Sequence, residues 1–131
     1  MIWFLRVLFI GVLGSMLWVT TSASLHTPLF DIPPEVWKHP WFIATLMDAY
    51  WGFVVFYAWV AWKEQSTSAR VLWFVAIMLL GNIAMSIYMI DELFSVDSHT
   101  ELTKIVTRRN EGKYFLPGTL AALGVAVLIF A

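Results

Sequence analysis

Asp48 is the one acid well inside a long apolar stretch, Trp41–Trp62, WFIATLMDAYWGFVVFYAWVAW. A carboxylate at the centre of a lipid-embedded helix costs about 2.5–3.5 kcal/mol on insertion scales, so it needs a partner, a proton or a water-filled space. Thr45 and Tyr50 are polar neighbours in the same stretch. Asn82 and Ser86 sit in another apolar stretch, four residues apart and so on one helix face. Two chemistries fit this set. Asp48, Asn82, Ser86, Thr45 and Tyr50 make a protonation or cation site, or they make a hydrogen-bonded clasp between two helices. Contact with another subunit is a third use of the same acid. The clasp is preferred, because a single acid without a paired base or second acid is thin support for transport. Intramembrane hydrogen bonds average about 0.6 kcal/mol, so a clasp is modest but real.

Other chemistries find little support. The chain has no cysteine, which removes disulfides, thiolate metal sites and a cysteine nucleophile. His26, His39 and His99 all fall in connections, and none has metal-ligand spacing on one helix. Ser15, Ser22, Ser24 and Ser86 lack the glycine-flanked nucleophile turn, and no phosphate loop or dinucleotide fingerprint is present. No metal, no cofactor and no catalytic role are expected. The aromatic side chains leave room for a bound lipid, quinone or pigment. A net charge of -1 gives no basic surface for nucleic acid.

The elements that would position these residues are membrane helices. Of 131 residues, 60% are apolar and only 13% charged, against roughly 25% charged in soluble domains. A bilayer core needs about 20 apolar residues in a helix. Four runs approach this: residues 2–20, 41–62, 71–90 and 115–131. They do not alternate as barrel strands would, and backbone groups in hydrocarbon must be satisfied internally, so helices are expected. The first run also has signal-peptide form, with small residues at Thr21, Ser22 and Ala23. A permanent helix is the preferred reading, with Arg6 snorkelling to the headgroups. Trp3, Trp18, Trp37, Trp41, Trp59, Trp62 and Trp73 stand near run ends and read as interface anchors.

KEQSTSAR between runs two and three is short, so these two form a central antiparallel hairpin. Matching their centres, Trp51 and Leu80, sets Asp48 level with Ala84, between Asn82 and Ser86. The first connection carries Pro28, Pro33, Pro34 and Pro40, which disfavour a long helix, yet it is oddly apolar. In the last connection Ser98 and Glu101 read as a capping box before a short interfacial helix over 98–110. Gly11 with Ser15, and Gly118 with Ala122 and Ala126, recur every four residues and suit close helix packing. Four spans place both termini on one side, and the cation count favours the outside slightly.

The stretch HPWFIATLMDAYWGFVVFYAWVAWKE resembles an uncharacterised membrane family known as domain of unknown function 1475. Pro40-Trp41, Ala44-Thr45-Leu46, Asp48 with Tyr50, and Trp59-Val60 followed by Lys63-Glu64 carry the likeness, mainly over residues 39–90. The resemblance implies a small multi-pass membrane protein and brings no established activity.

The expectation is therefore one all-α integral membrane domain over 1–131. It has four transmembrane helices and lies in a bacterial inner membrane, in contact with lipids and other integral membrane subunits. The leading functional expectation is a non-catalytic accessory, assembly or stabilising subunit of a larger complex, such as an energy-converting one. The alternatives are a small ion or solute transporter or channel protomer using Asp48, and a lipid-, quinone- or pigment-binding protein.

Overall fold

The structure, a computed structural model, describes residues 1–130. Ala131, the last residue of the expected fourth span, lies outside them. Seven helices follow in order: α1 (Ile2–His26), α2 (Pro34–Trp37), α3 (Pro40–Lys63), α4 (Thr67–Leu80), α5 (Asn82–Phe94), α6 (Leu102–Thr107) and α7 (Phe115–Phe130). A 3-10 turn, Leu29–Asp31, precedes α2. Among the described residues the regular structure is all helical, apart from one isolated bridge between Glu64 and Asn110. Among the described residues only α1 and α3 are long and apolar enough to cross a membrane. The bounds of α3 match the expected 41–62 closely. Pro40 opens its first turn, where a missing N–H costs nothing, and His39 Nδ1 accepts from Trp41 N at 3.3 Å. The first helix runs six residues beyond the expected end at Thr20.

The third run departs from expectation. A continuous helix over 71–90 would separate Trp73 from Tyr88 by about 22 Å. Their ring centroids lie 4.8 Å apart. The chain reverses at Gly81, whose φ of 54° and ψ of -125° suit glycine alone. A Cβ there would also come within 2.6 Å of the Phe53 ring. So α4 and α5 fold back on each other as a hairpin, and run three is not a single span.

This reversal resets the register. Helix α3 lies antiparallel to α4, with Tyr50 OH donating to Met78 O at 3.2 Å and Tyr57 OH to Arg70 O at 3.0 Å. It lies parallel to α5, with Phe53 at Gly81 and Lys63 at Glu92. Helix α7 runs beside α4 in the same direction: Gly118 faces Leu72, and Gly124 faces Leu79. Helix α1 runs against α5, its Arg6 meeting Leu93. The start of α1 and the end of α7 therefore lie at opposite ends of the bundle, which corrects the expectation of both termini on one side. The end holding Arg6 and Lys63 is called the base below.

The main core joins Val60, Trp73, Ala76, Ile77, Ala84, Tyr88 and Leu120. Trp73 is buried against Tyr88 there, so it is a core residue and not an interface anchor. A second cluster, Ile2, Leu93 and Ile105, closes the base. Helix α6 belongs to it and is shorter than the expected 98–110. The expected capping box does not form, because Ser98 Oγ and His99 N both donate to Asp97 Oδ1, at 3.4 and 3.2 Å. The His99 amide is the larger cause holding the Asp97 carboxyl below its ordinary value.

Candidate functional site

The densest polar chemistry is at the base. Lys63 and Glu64 end α3, and the α3–α4 link turns there because Asn110 pairs with it: Asn110 N donates to Lys63 O at 2.8 Å, and Gln65 N to Asn110 O at 3.1 Å. Tyr88 and Glu92, one helical turn apart on α5, project into the same space. Lys63 Nζ meets Glu92 Oε2 at 2.7 Å, and Arg108 Nη2 meets that oxygen at 3.0 Å. Tyr88 OH donates to Glu64 Oε1 at 3.0 Å. The Asn110 amide donates to Glu64, Tyr88 and Glu92. Lys63, Glu64, Tyr88 and Glu92 are all buried.

The network is almost closed. Lys63 also donates to Ile105 O, Trp59 Nε1 to Val106 O at 3.1 Å, and Arg109 Nε to Trp62 O at 3.0 Å. Lys63 and Arg108 share the one carboxylate of Glu92, while Glu64 is held by the neutral donors Tyr88 and Asn110. Among the described residues only Arg108 Nε is a buried side-chain atom without a partner. Fully partnered groups offer no open coordination position, and no group of three or more His, Cys, Asp or Glu is placed for a metal among the described residues. The arrangement is suited to holding α3, α5 and residues 105–110 in one geometry.

Arg6 extends the base. It is buried, not snorkelling as expected, with Nη2 donating to Leu93 O and Val96 O at 2.8 Å each. These carbonyls lie at the C-terminal end of α5, where intrahelical partners run out and a cation is favoured. Its guanidinium carbon sits 4.8 Å from the Trp3 ring centroid and 4.6 Å from that of Phe94.

The intramembrane set expected around Asp48 is not assembled. The reversal at Gly81 makes α5 parallel to α3, so Ser86 lies toward the base while Asp48 lies beyond the hairpin tip. Asp48 is fifteen residues from Lys63, or about 22 Å of helix. It is exposed, and among the described residues no hydrogen bond or ion pair reaches its carboxylate. Thr45 Oγ1 donates to Trp41 O in its own helix, and Tyr50 goes to Met78 O. Asn82 is exposed at the hairpin tip, while Ser86 is buried.

The small-residue ladders also fall differently. The face of α7 packed inward is Pro117, Leu120, Ala121 and Gly124, with Gly118 at its edge. Ala122 is exposed and Ala126 half-buried, both lining a shallow outer groove. Gly11 and Ser15 are exposed. Trp3, Trp18, Trp37, Trp41 and Trp62 are exposed, whereas Trp59 packs against Tyr88 and lies 5.2 Å from Lys63 Nζ. An apolar cavity of about 550 Å³ opens above the hairpin tip, lined by Leu17, Thr20, Leu79, Ile83, Leu120 and Val127.

A family model described as protein of unknown function, DUF1475, matches residues 2–110. The chain belongs to this family. The DUF1475 match is wider than the resemblance over 39–90, since it takes in α1 with Arg6 and the whole base through Asn110. It stops before α7. No curated protein and no solved structure matches the chain. Sequence reasoning reaches Lys63-Glu64 of the DUF1475 base only as part of the resemblance, and it passes over Tyr88, Glu92 and Asn110. The available signal is the four-residue spacing of Tyr88 and Glu92, which sets two polar side chains on one face of an apolar helix.

Proposed function

We propose that this protein is a non-catalytic integral membrane protein that serves as an accessory or assembly subunit of a larger membrane complex. The observation that carries the reading is Asp48, an acid without a partner on the open half of α3. From Trp41 to Gly52 every residue except Phe42 is exposed. A carboxylate on a membrane helix requires a partner, and here it must come from outside the chain.

In this reading α1 and α3 cross the bilayer, the shorter apolar helix α7 lies alongside α4, and α4–α5 enters from the base and returns to it. Only 11% and 6% of the apolar stretches of α1 and α3 is buried, which suits lipid contact and not the core of a soluble domain. Cations support the orientation. Seven of the eight, Arg6, Lys63, Arg70, Lys104, Arg108, Arg109 and Lys113, belong to the base, and only Lys38 belongs to the other end. Lys and Arg favour the cytoplasmic side, so the base faces the cytoplasm and the end of α7 faces away. This replaces the weaker preference for two outside termini.

Extraction in mild detergent followed by native mass spectrometry tests the subunit reading. A particle heavier than the 15.0 kDa chain, with a reproducible second protein, is expected. A stable lone chain in every gentle extraction sinks it. The apolar cavity favours one second reading, a lipid-binding protein, for which organic extraction of the purified chain should release a stoichiometric lipid.

A further inference from the structure

We infer that the exposed face formed by Thr45, Asp48, Ala49 and Gly52 docks a transmembrane helix of a different protein, one carrying a lysine or arginine at the depth of Asp48. This rests on the subunit reading above and names the partner's chemistry. The four residues follow the spacing i, i+3, i+4, i+7, which is one stripe of a helix. All four are exposed. Three are small, and no atom lies within 4 Å of where a Cβ on Gly52 would stand. Such a stripe lets a second backbone come close. Trp51 and Trp41, both largely exposed, flank it with apolar surface.

Charge selects the occupant. Asp48 sits eight residues from Pro40, about 12 Å down the helix. That is too deep for a short carboxylate to reach water readily. Within the chain Lys63, Arg108 and Arg6 are committed to Glu92 and to backbone carbonyls, and the base that holds them lies about 22 Å away along α3. Lys38 lies ahead of α3. A second copy offers no better. Packed in parallel through the same stripe, it would set Asp48 against Asp48 and bring no cation to that depth. A basic side chain on another protein's helix supplies what is missing, because charged groups inside membranes pair with one another.

A defined probe tests this. The full chain, dye-labelled at Glu111→Cys in its exposed loop, is reconstituted in phosphatidylcholine vesicles. Leucine- and alanine-rich transmembrane peptides carrying one lysine, or leucine instead, at the matching depth are titrated by energy transfer. The lysine peptide should associate about tenfold more tightly than the leucine peptide. Asp48→Asn, which keeps the size, should abolish that preference. Gly52→Leu, which fills open space and spares the fold, should weaken lysine-peptide binding. Equal affinity for both peptides overturns the inference, as does a preference that survives in Asp48→Asn. Gly52→Cys chains that cross-link to each other in native membranes also overturn it, in favour of a second copy. The subunit reading fails separately. A native complex whose mass and yield are unchanged by Asp48→Asn retires this docking site alone. Absence of any complex retires the subunit reading while the peptide preference remains measurable.

Discussion

The two ends of α3 treat ionisable groups in opposite ways. At the base, Lys63 and Glu64 are buried and bonded to α5, α6 and Asn110. Fifteen residues earlier, Asp48 stands exposed with nothing to hold it. Both stretches belong to one regular helix, so the difference does not come from local structure. It comes from what packs alongside. The hairpin is only tall enough to line the half of α3 below Phe53. Below that level the chain partners its buried side chains from within, save Arg108 Nε; above it Asp48 has no partner among the described residues. One helix is thus tied down by polar contacts at one end and bare at the other.

Several substitutions would break or sharpen this contrast. The largest effect should come from Glu92→Gln. It leaves Lys63 buried without its counter-ion, and removing one partner of a buried pair costs about 3–5 kcal/mol. Unfolding titrations of the purified chain in detergent read this directly. Gly81→Ala should cost about 1–3 kcal/mol, from the strained backbone conformation and the approach to Phe53. It should also open the Trp73–Tyr88 contact, seen as a shift in tryptophan fluorescence. Asp48→Leu should leave the isolated chain within about 0.5 kcal/mol of the parent. A loss comparable to that of Glu92→Gln would collapse the contrast. The smallest effect concerns Asp97, whose carboxyl is held low by the His99 amide. That turn gains from the charged form above the ordinary carboxylate value and loses the gain as pH falls through the lowered one. The His99 amide resonance should therefore titrate with a midpoint below 3.8.

The helical class and the bounds of α3 were legible in the sequence, because uninterrupted apolar residues with a proline start leave few alternatives. The partners of Asp48 were not. Their register assumed that residues 71–90 continue in one direction, and a lone glycine in an apolar run is common in membrane helices. Nothing in the composition of that run distinguishes Gly81 at positive φ from a glycine within a helix. That single residue decides whether Ser86 lies beside Asp48 or toward the base. The base was hidden for a related reason. Lys63 and Glu92 stand at run ends, where charges ordinarily meet headgroups, and only the reversal at Gly81 brings them together. Trp73 was misread similarly, since the start of an apolar run becomes interior once α5 folds back over it.

Arg6 has a consequence for the order in which the molecule can be completed. Its two carbonyl acceptors, Leu93 and Val96, are 87 and 90 positions later in the chain. During synthesis α1 emerges first and waits, its guanidinium unsatisfied, until the second arm of the hairpin has been made. Domains generally form as units while the ribosome elongates at about 5–20 residues per second. The interval before Arg6 can close the base is thus on the order of 5–20 s. Through that window the first helix is a free hydrophobic segment with a cation near its end, before it becomes part of a fold.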